Sequence, residues 1–317
     1  MIKLNPKVTL LLFALLSFGI SSVSRYIDAY FLDVILSIGI SIILAVSLNL
    51  VNGYTGQFSL GHAGFMAVGA YVSSYLTTVI LPKMGLGTAA ATGPIGIAAI
   101  FLGALFAGGL AAALAGFIVG VPSLRLRGDY LAIVTLGFGE IIRVILQNVE
   151  AVGGARGLNG IPSYTNFFWT FALAGLTVYI VTTMVHSTYG RGFLAVHDDE
   201  IAAEAMGVNT TKYKVLAFVV SSFFAGIAGA LYAHFKQYIN PDGFNFMRSI
   251  EIVVMVILGG MGNTIGVILA AVLLTILPEV LRPVSDYRMI IYSLLIIVLM
   301  LVRPQGLFTL RRQYKEK

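Results

Sequence analysis

The chain has 317 residues, of which 58% are hydrophobic and only 11% are charged. Soluble domains carry about 25% charged residues, so this composition excludes an ordinary water-soluble protein and indicates an all-α polytopic membrane protein with a single transmembrane domain over residues 1–317. The net charge of +6 comes from basic residues scattered at the ends of apolar segments, so nucleic acid is not expected as a partner, and the chain has no cysteine for a disulfide framework.

Residues 1–24 look like a signal peptide, with Lys3 and Lys7 before an apolar run. Residues 19–25 make a poor cleavage site, which favours a retained first span over Val8–Val23, with cleavage as the alternative. A second span is predicted over Tyr30–Val51. Asp33, near its start, is expected at the outer face.

A polar, glycine-rich stretch, Asn52–Gly64, then runs into the apolar segment Phe65–Leu81 without a flanking charge. Such backbone is tolerated in a membrane where it lines a cavity or is packed inside protein. Transporters place binding groups at interrupted helices of this kind. The stretch therefore predicts either part of a substrate path or a tight packing turn. The candidate pathway side chains are Asn49, Asn52, Tyr54, Gln57, Ser59 and His62.

Three further spans are predicted, over Ile95–Val119, Tyr130–Val149 and Asn166–Val185, with Arg125 and Arg127 in a short cytoplasmic loop between the first two. Near the middle of the second of these, Glu140 and Arg143 lie three residues apart. Residues at this spacing share a helix face and can pair. Intramembrane charge also marks functional sites, so a structural ion pair and a pathway role both remain open.

The longest polar interval is the loop over residues 187–214, and it contains a short predicted helix. Acidic residues at its amino end favour the helix dipole, and the glycine after Met206 is a typical helix stop. So short a helix needs a partner surface to hold it, and its alanines allow close approach. The candidate docking residues are Asp198, Asp199, Glu200, Ala203, Glu204 and Gly207.

After a span over Val215–Phe235, the pieces Ile250–Leu258 and Thr264–Leu277 flank a glycine turn. Each is too short to cross a core that needs about 20 residues, so together they form one broken span or a re-entrant hairpin. The five basic residues of the tail, Arg303, Arg311, Arg312, Lys315 and Lys317, favour the hairpin, because it leaves both termini in the cytoplasm.

The prediction is thus about eight spans, the last over Arg288–Val302, plus glycine-broken elements. Interruptions in both halves, at residues 52–64 and 259–263, suggest an internal repeat and a transport path. Gly259, Gly260 and Gly262 therefore join the candidate pathway residues.

No enzyme motif is present: the chain lacks G-x-S-x-G, H-E-x-x-H and a P-loop, and its four histidines are dispersed. We therefore expect no catalytic residue, no metal site and no cofactor bound by this chain. Any ATP and Mg²⁺ would belong to a partner subunit.

Several motifs resemble one family. Glu204-Ala205 and Gly207 resemble the "EAA" coupling-helix signature of the permease subunits of bacterial ABC importers, with Met206 departing from it. The wider run from Gly190 to Phe218 resembles the branched-chain amino acid (LIV-type) permeases, specifically the LivM-like branch, and the resemblance continues in Asn52–Phe65, Leu258–Gly262 and Arg303–Gly306.

This resemblance implies a subunit of an inner-membrane importer for leucine, isoleucine and valine, whose coupling loop docks a cytoplasmic ATPase. It also implies a second homologous permease subunit and a periplasmic substrate-binding protein, all within the lipid bilayer or at its surfaces. Urea or short amides are the alternative substrates. An ion-coupled secondary transporter is the other class, and it would need a titrating residue such as Asp33, Glu140, Glu251 or His62.

Overall fold

The computed structural model describes residues 28–85, 89–123, 129–284, 287–303 and 306–307, together with positions 17, 19 and 21. Most of the predicted first span over Val8–Val23 lies outside these residues. So do Arg125, Arg127 and the tail beyond Leu307, with its four basic residues.

The described chain is almost entirely helical. Its helices are α1 (Ala29–Asn49, continued by a π-helical turn Leu50–Tyr54), α2 (His62–Tyr75, continued by a π-helical turn Leu76–Ile80 and by Leu81–Lys83), α3 (Ala89–Ser123), α4 (Asp129–Asn148), α5 (Phe167–His186), α6 (Thr188–Asp198), α7 (Glu200–Ala205), α8 (Thr210–Lys236), α9 (Phe246–Gly259), α10 (Thr264–Val280) and α11 (Arg288–Val302). Short 3₁₀ helices cover Glu150–Val152, Gly154–Arg156, Pro241–Phe244 and Arg282–Val284, and β1 (Leu158–Asn159) pairs antiparallel with β2 (Tyr238–Ile239).

Six of the described helices are long and apolar enough to cross a membrane: Ala29–Tyr54, His62–Lys83, Ile95–Pro122, Tyr130–Asn148, Phe167–His186 and Thr210–Lys236. The sequence predicted about eight spans. The difference arises because the first predicted span lies outside the described residues and because α11 has only 15 residues. At 1.5 Å per residue, α11 covers about 22 Å of a core about 30 Å thick.

The helices define two ends of the bundle. At one end, Lys236 near the end of α8 pairs with Asp33 near the start of α1 (Nζ–Oδ1 2.7 Å), and the Tyr30 hydroxyl donates to Glu279 of α10. At the other end, α1 leads to Gly56, which lies against His197 of α6. We call these the opposite end and the α6–α7 end, respectively.

Helices α9 and α10 form a hairpin whose tip reaches toward the α6–α7 end. The tip, Gly260–Asn263, lies against Gly53 in the π-helical turn of α1. Helix α9 follows the end of α8, and α10 returns to Tyr30, so both arms begin and end at the opposite end. The Leu307 N–H donates to the Leu258 carbonyl (2.8 Å), so the chain after α11 is again beside the tip. The two arms therefore form a helical hairpin, and its re-entry into the bilayer stays a prediction.

The centre of the bundle is packed through glycines on α2, α3 and α8. A Cβ atom on Gly69 would lie 2.2 Å from the Gly226 carbonyl oxygen, and one on Gly229 would lie 1.9 Å from the Met66 carbonyl oxygen. Small residues at such crossings let helix backbones touch where no hydrophobic effect drives association. These contacts place α2 against α8, and α1, α2 and α8 are the most buried of the six candidate spans.

Candidate functional site

The first part of the candidate site is the interrupted stretch between α1 and α2. After the π-helical turn the chain has no regular secondary structure from Gly56 to Gly61, and Gly56 has φ +66°. The buried Asn52 side chain substitutes for the missing helical partners. Its Oδ1 accepts from the Ser59 N–H (3.2 Å) and its Nδ2 donates to the Ser59 carbonyl (3.4 Å). Asn52 therefore holds the interruption in one shape.

Side chains from distant helices satisfy the remaining backbone of this stretch. The Leu60 N–H donates to Thr135 Oγ1 on α4 (3.0 Å), and the Ala63 N–H donates to Ser249 Oγ on α9 (3.1 Å). Thr135 and Ser249 could not be predicted from the sequence, because nothing in their local pattern links them to residues 60 and 63. Their hydroxyl groups meet the requirement that buried N–H groups find an acceptor.

His62, at the start of α2, joins three central helices. Its Nε2 is hydrogen-bonded to Ser47 Oγ of α1 (3.0 Å), and Ser221 Oγ of α8 donates to the Ser47 carbonyl (2.7 Å). His62 is therefore a partnered side chain inside the bundle rather than an isolated one.

The two glycine-broken segments predicted from the sequence contact each other. Asn49 Oδ1 accepts from the Gly262 N–H (2.9 Å), and the Tyr54 hydroxyl shares a hydrogen bond with Thr264 Oγ1 (2.8 Å). A Cβ atom on Gly53 would lie 2.3 Å from the Gly262 nitrogen. We call these five residues the junction.

The three glycines predicted in the hairpin have different structural roles. Gly260 and Gly262 turn the tip with φ of +92° and +78°, values that favour glycine. Gly259 allows the two arms to touch, since a Cβ atom there would lie 2.4 Å from the Val267 Cα. Only Gly262 of the three contributes to the junction.

Two of the candidate pathway side chains have unmet hydrogen-bonding capacity. Asn49 Nδ2 and both amide atoms of Gln57 have no hydrogen-bond partner in the described part of the chain, although the two residues are only 0% and 4% exposed. A buried polar group without a partner costs about 1–3 kcal/mol. Asn49 and Gln57 are thus the side chains of this region that are free to bind something else.

The predicted ion pair is present but is not central in the bundle. Arg143 Nε lies 2.8 Å from Glu140 Oε2, and Arg143 Nη1 lies 2.9 Å from Asp242 Oδ1 in the Pro241–Phe244 turn. The sequence reading placed the pair near the middle of its span. Both residues lie within the candidate span Tyr130–Asn148, and Asp242 extends the pair to the connection at the opposite end.

The second part of the site is the loop helix α7, whose predicted ends are confirmed. Asp199 Oδ1 accepts from the N–H groups of Ile201 (2.9 Å) and Ala202 (3.0 Å). At the other end Gly207 has φ +81°; its N–H donates to the Glu204 carbonyl (2.9 Å) and the Val208 N–H to the Ala203 carbonyl (3.0 Å). These are the two backbone hydrogen bonds of a Schellman motif, which ends a helix at a glycine.

Asp198 requires a correction. It is the last residue of α6 rather than part of the amino end of α7. The sequence analysis did not predict α6, because it treated residues 187–198 as part of a polar loop. In the structure Gly192 provides space for a neighbour: a Cβ atom there would lie 2.3 Å from the Tyr213 ring. Phe193 then packs edge-to-face on the same ring.

One face of α7 is bound to α8. Lys214 Nζ lies 2.6 Å from Glu200 Oε1, and Thr210 Oγ1 donates to Glu204 Oε1 (2.7 Å). Ala203 lies on this same face, because residues at i, i+3 and i+4 share a helix face. It is only 6% exposed. Three of the predicted docking residues are thus directed toward the protein itself.

The outward side of α7 carries two apolar side chains that the sequence reading did not select. Ile201 is 66% exposed and Met206 is 83% exposed. Both side chains are therefore accessible to another protein surface. The sequence did contain a signal for them: Ile201 and Met206 are the only large apolar residues between Asp198 and Gly207.

Direct packing connects the two parts of the site. A Cβ atom on Gly56 would lie 3.1 Å from His197 Cδ2, so the interrupted stretch touches α6. No group of three histidine, aspartate or glutamate side chains within the described ranges is arranged to hold a metal ion.

Fold and site together define a multi-span, α-helical membrane protein with an exposed helical loop at one end. The sequence profile of a family described as "branched-chain amino acid transport system / permease component" matches residues 30–302. The chain belongs to this family and, with its six candidate spans, is a multi-pass inner-membrane protein.

Curated relatives agree with this assignment. The chain is 37% identical over 308 residues to the high-affinity branched-chain amino acid transport system permease protein LivM of Salmonella typhimurium, covering 86% of this chain and 68% of the relative. It is 36% identical, with the same coverage, to LivM of Escherichia coli. It is 26% identical to LivH of Escherichia coli, covering 84% of this chain and 90% of the relative. No solved structure is significantly similar to the chain.

Proposed function

We propose that this chain is a LivM-type permease subunit of an ATP-driven ABC importer that carries leucine, isoleucine and valine. The observation that carries the proposal is the 37% identity to a LivM protein across 86% of the chain. The weaker similarity to LivH supports a second, homologous permease subunit. The remaining partners are cytoplasmic ATPase subunits, which bind ATP and Mg²⁺, and a periplasmic substrate-binding protein.

In this proposal the α6–α7 end faces the cytoplasm and the opposite end faces the periplasm. The contact between Leu307 and Leu258 supports a tail on the cytoplasmic side, where its basic residues are favoured. With that orientation the α9–α10 hairpin is re-entrant from the periplasmic side, and both termini are cytoplasmic.

Helix α7 is the coupling helix, and Ile201 and Met206 form its contact with the ATPase. Asp199 and Gly207 define its two ends, while Glu200 and Glu204 fix it to α8. A displacement of α7 by the ATPase would therefore move the first turns of α8 with it. Nucleotide-driven motion would also reach the interrupted stretch through His197 and Gly56.

The junction is the part of the path that such a motion would open. Its contacts join one glycine-broken segment from each half of the chain, so separating the hairpin tip from α1 breaks them together. The free amide groups of Asn49 and Gln57 could then bind the carboxylate and ammonium groups of an amino acid. Asn52, Ser59 and His62 shape this region, and the tight-packing interpretation of the whole stretch is the competing one.

The test is uptake by proteoliposomes that contain this chain, the second permease and the ATPase, with the binding protein outside and ATP inside. We expect ATP-dependent uptake of leucine, isoleucine and valine, with urea and acetamide not transported. Uptake of urea but not of the three amino acids would show that the substrate assignment is wrong. Leucine uptake driven by a proton or sodium gradient without ATP would reject the importer class.

A further inference from the structure

An open groove that plays no part in the proposed transport site lies between α3 and α8 at the α6–α7 end. Its volume is about 660 Å³. The walls are apolar, formed by Phe117 and Val121 from the last turns of α3 and by Val215 and Val219 from the first turns of α8. Phe117 is 50% exposed, so the groove is open to the surroundings of the bundle along its length.

One end of this groove is polar and cationic. Thr211 and Lys212 line it, and the Asn209 side chain accepts from the Lys212 N–H (3.0 Å), which fixes the first turn of α8. No carboxylate among the described side chains forms an ion pair with Lys212. The amino end of a long helix adds a further positive potential at the same place.

The groove lies at a membrane boundary. The candidate span Ile95–Pro122 ends one residue after Val121, and the candidate span Thr210–Lys236 begins two residues before Lys212. The distance along α8 from Lys212 to Val219 is about 10 Å, so the apolar walls extend into the bilayer from a cationic rim. The chain thus offers a positive group at headgroup depth and an apolar trough beneath it.

We propose that this groove binds an anionic phospholipid, with its phosphate at Lys212 and an acyl chain between Phe117 and the valines of α8. Charge complementarity selects this occupant, because an apolar protein helix would leave the lysine without a counter-charge and a zwitterionic headgroup would bring a second cation beside it. Basic sites at the ends of transmembrane helices typically bind anionic lipid headgroups. The inference needs only the membrane location of the chain and is independent of the transported substrate.

The test is native mass spectrometry of the intact transporter complex extracted from bilayers of equal parts phosphatidylglycerol and phosphatidylcholine. We expect the wild type to retain phosphatidylglycerol preferentially. Loss of one lysine contact near a membrane surface corresponds to about a fivefold weaker retention, which is the effect expected for Lys212→Gln. Val219→Trp, which fills the trough, should reduce retention while leaving the lysine in place. Lys83→Gln, an exposed lysine at the opposite end, is the matched control and should retain lipid normally.

Equal retention of both lipids by the wild type would overturn the proposal. So would unchanged retention in both Lys212→Gln and Val219→Trp. Efficient cross-linking of Val219→Cys to the second permease subunit, with no lipid retained, would instead identify the groove as a subunit interface. These readouts do not depend on uptake, so they remain decisive even if the proposed substrate is wrong.

Discussion

Lys214 and Glu200 form an ion pair with an Nζ–Oε1 distance of 2.6 Å, although the lysine side chain is only 7% exposed. The pair joins α7 to the second turn of α8. Because a buried charge without a partner is strongly unfavourable, this contact is specific to the observed position of α7.

Glu200→Gln should therefore loosen α7 from α8. A hydrogen bond to a charged group contributes about 1.5–3 kcal/mol, so the opening free energy of α7 should fall by about that amount. Hydrogen exchange measures it, as an increase of roughly tenfold or more in the exchange of α7 amides. The double variant Glu200→Gln/Lys214→Met should recover part of the loss, and additive effects of the two changes would contradict the pairing.

The glycine end of α7 provides a graded test. Gly207 has φ +81°, and a Cβ atom added there would meet nothing within 4 Å. The strain of a substitution therefore comes from the backbone conformation alone. Gly207→Ala should cost about 1–2 kcal/mol of helix stability, and Gly207→Asn should cost less, because asparagine tolerates this conformation. Gly207→Pro also removes the N–H that donates to Glu204 and should abolish coupling. Amide exchange at Ala203 and Val208 reports the order, and equal effects of alanine and asparagine would refute it.

The interrupted stretch contains two kinds of polar side chain, those without a hydrogen-bond partner and those that hold the backbone. Gln57→Ala removes unpartnered amide atoms, so it should lower leucine uptake per folded complex while leaving complex abundance normal. Asn52→Ala removes both hydrogen bonds to Ser59, so it should lower the abundance of folded complex instead. The measurement is uptake normalised to complex recovered by size-exclusion chromatography. Normal normalised uptake in Gln57→Ala would favour the packing interpretation of this stretch.

The junction should not tolerate added volume. Gly53→Ala places a methyl group 2.1 Å from Asn49 Oδ1 and 2.3 Å from the Gly262 nitrogen, so the Asn49–Gly262 hydrogen bond must break and the hairpin tip must move away from α1. We expect ATP hydrolysis that no longer depends on the binding protein, or loss of folded complex. Gly103→Ala is the matched control, since a Cβ atom there meets nothing within 4 Å. Equal, unchanged transport in both variants would show that the junction has no part in gating.

The spans could be predicted from the sequence because the bilayer sets their length. Asn166–Val185 was expected and α5 covers Phe167–His186. Helix α6 was missed because glycines look like loop residues in a polar stretch, whereas Gly190 packs against the Val185 backbone and Gly192 against the Tyr213 ring. Helix α8 begins at Thr210 rather than Val215, because its polar first turns are held by Glu200 and Glu204 across the loop.

The site was only partly predictable, because local sequence patterns do not encode contacts between distant parts of the chain. Local pattern identified the glycine-broken segments and the ends of α7. Thr135 and Ser249, by contrast, lie 75 and 186 residues from the backbone groups they satisfy, and no local spacing encodes such a contact. The direction of Ala203 likewise depends on where α8 lies, which the sequence of α7 alone does not specify.

The most direct test of the account is cysteine cross-linking between α7 and the ATPase in the assembled complex. Met206→Cys and Ile201→Cys should cross-link to the ATPase and should react with reagents only from the cytoplasmic side. Ala203→Cys, buried on the same helix, is the control and should cross-link poorly. Labelling of Met206→Cys from the periplasmic side, or efficient cross-linking at Ala203 but not at Met206, would contradict the assignment of α7 as the coupling helix.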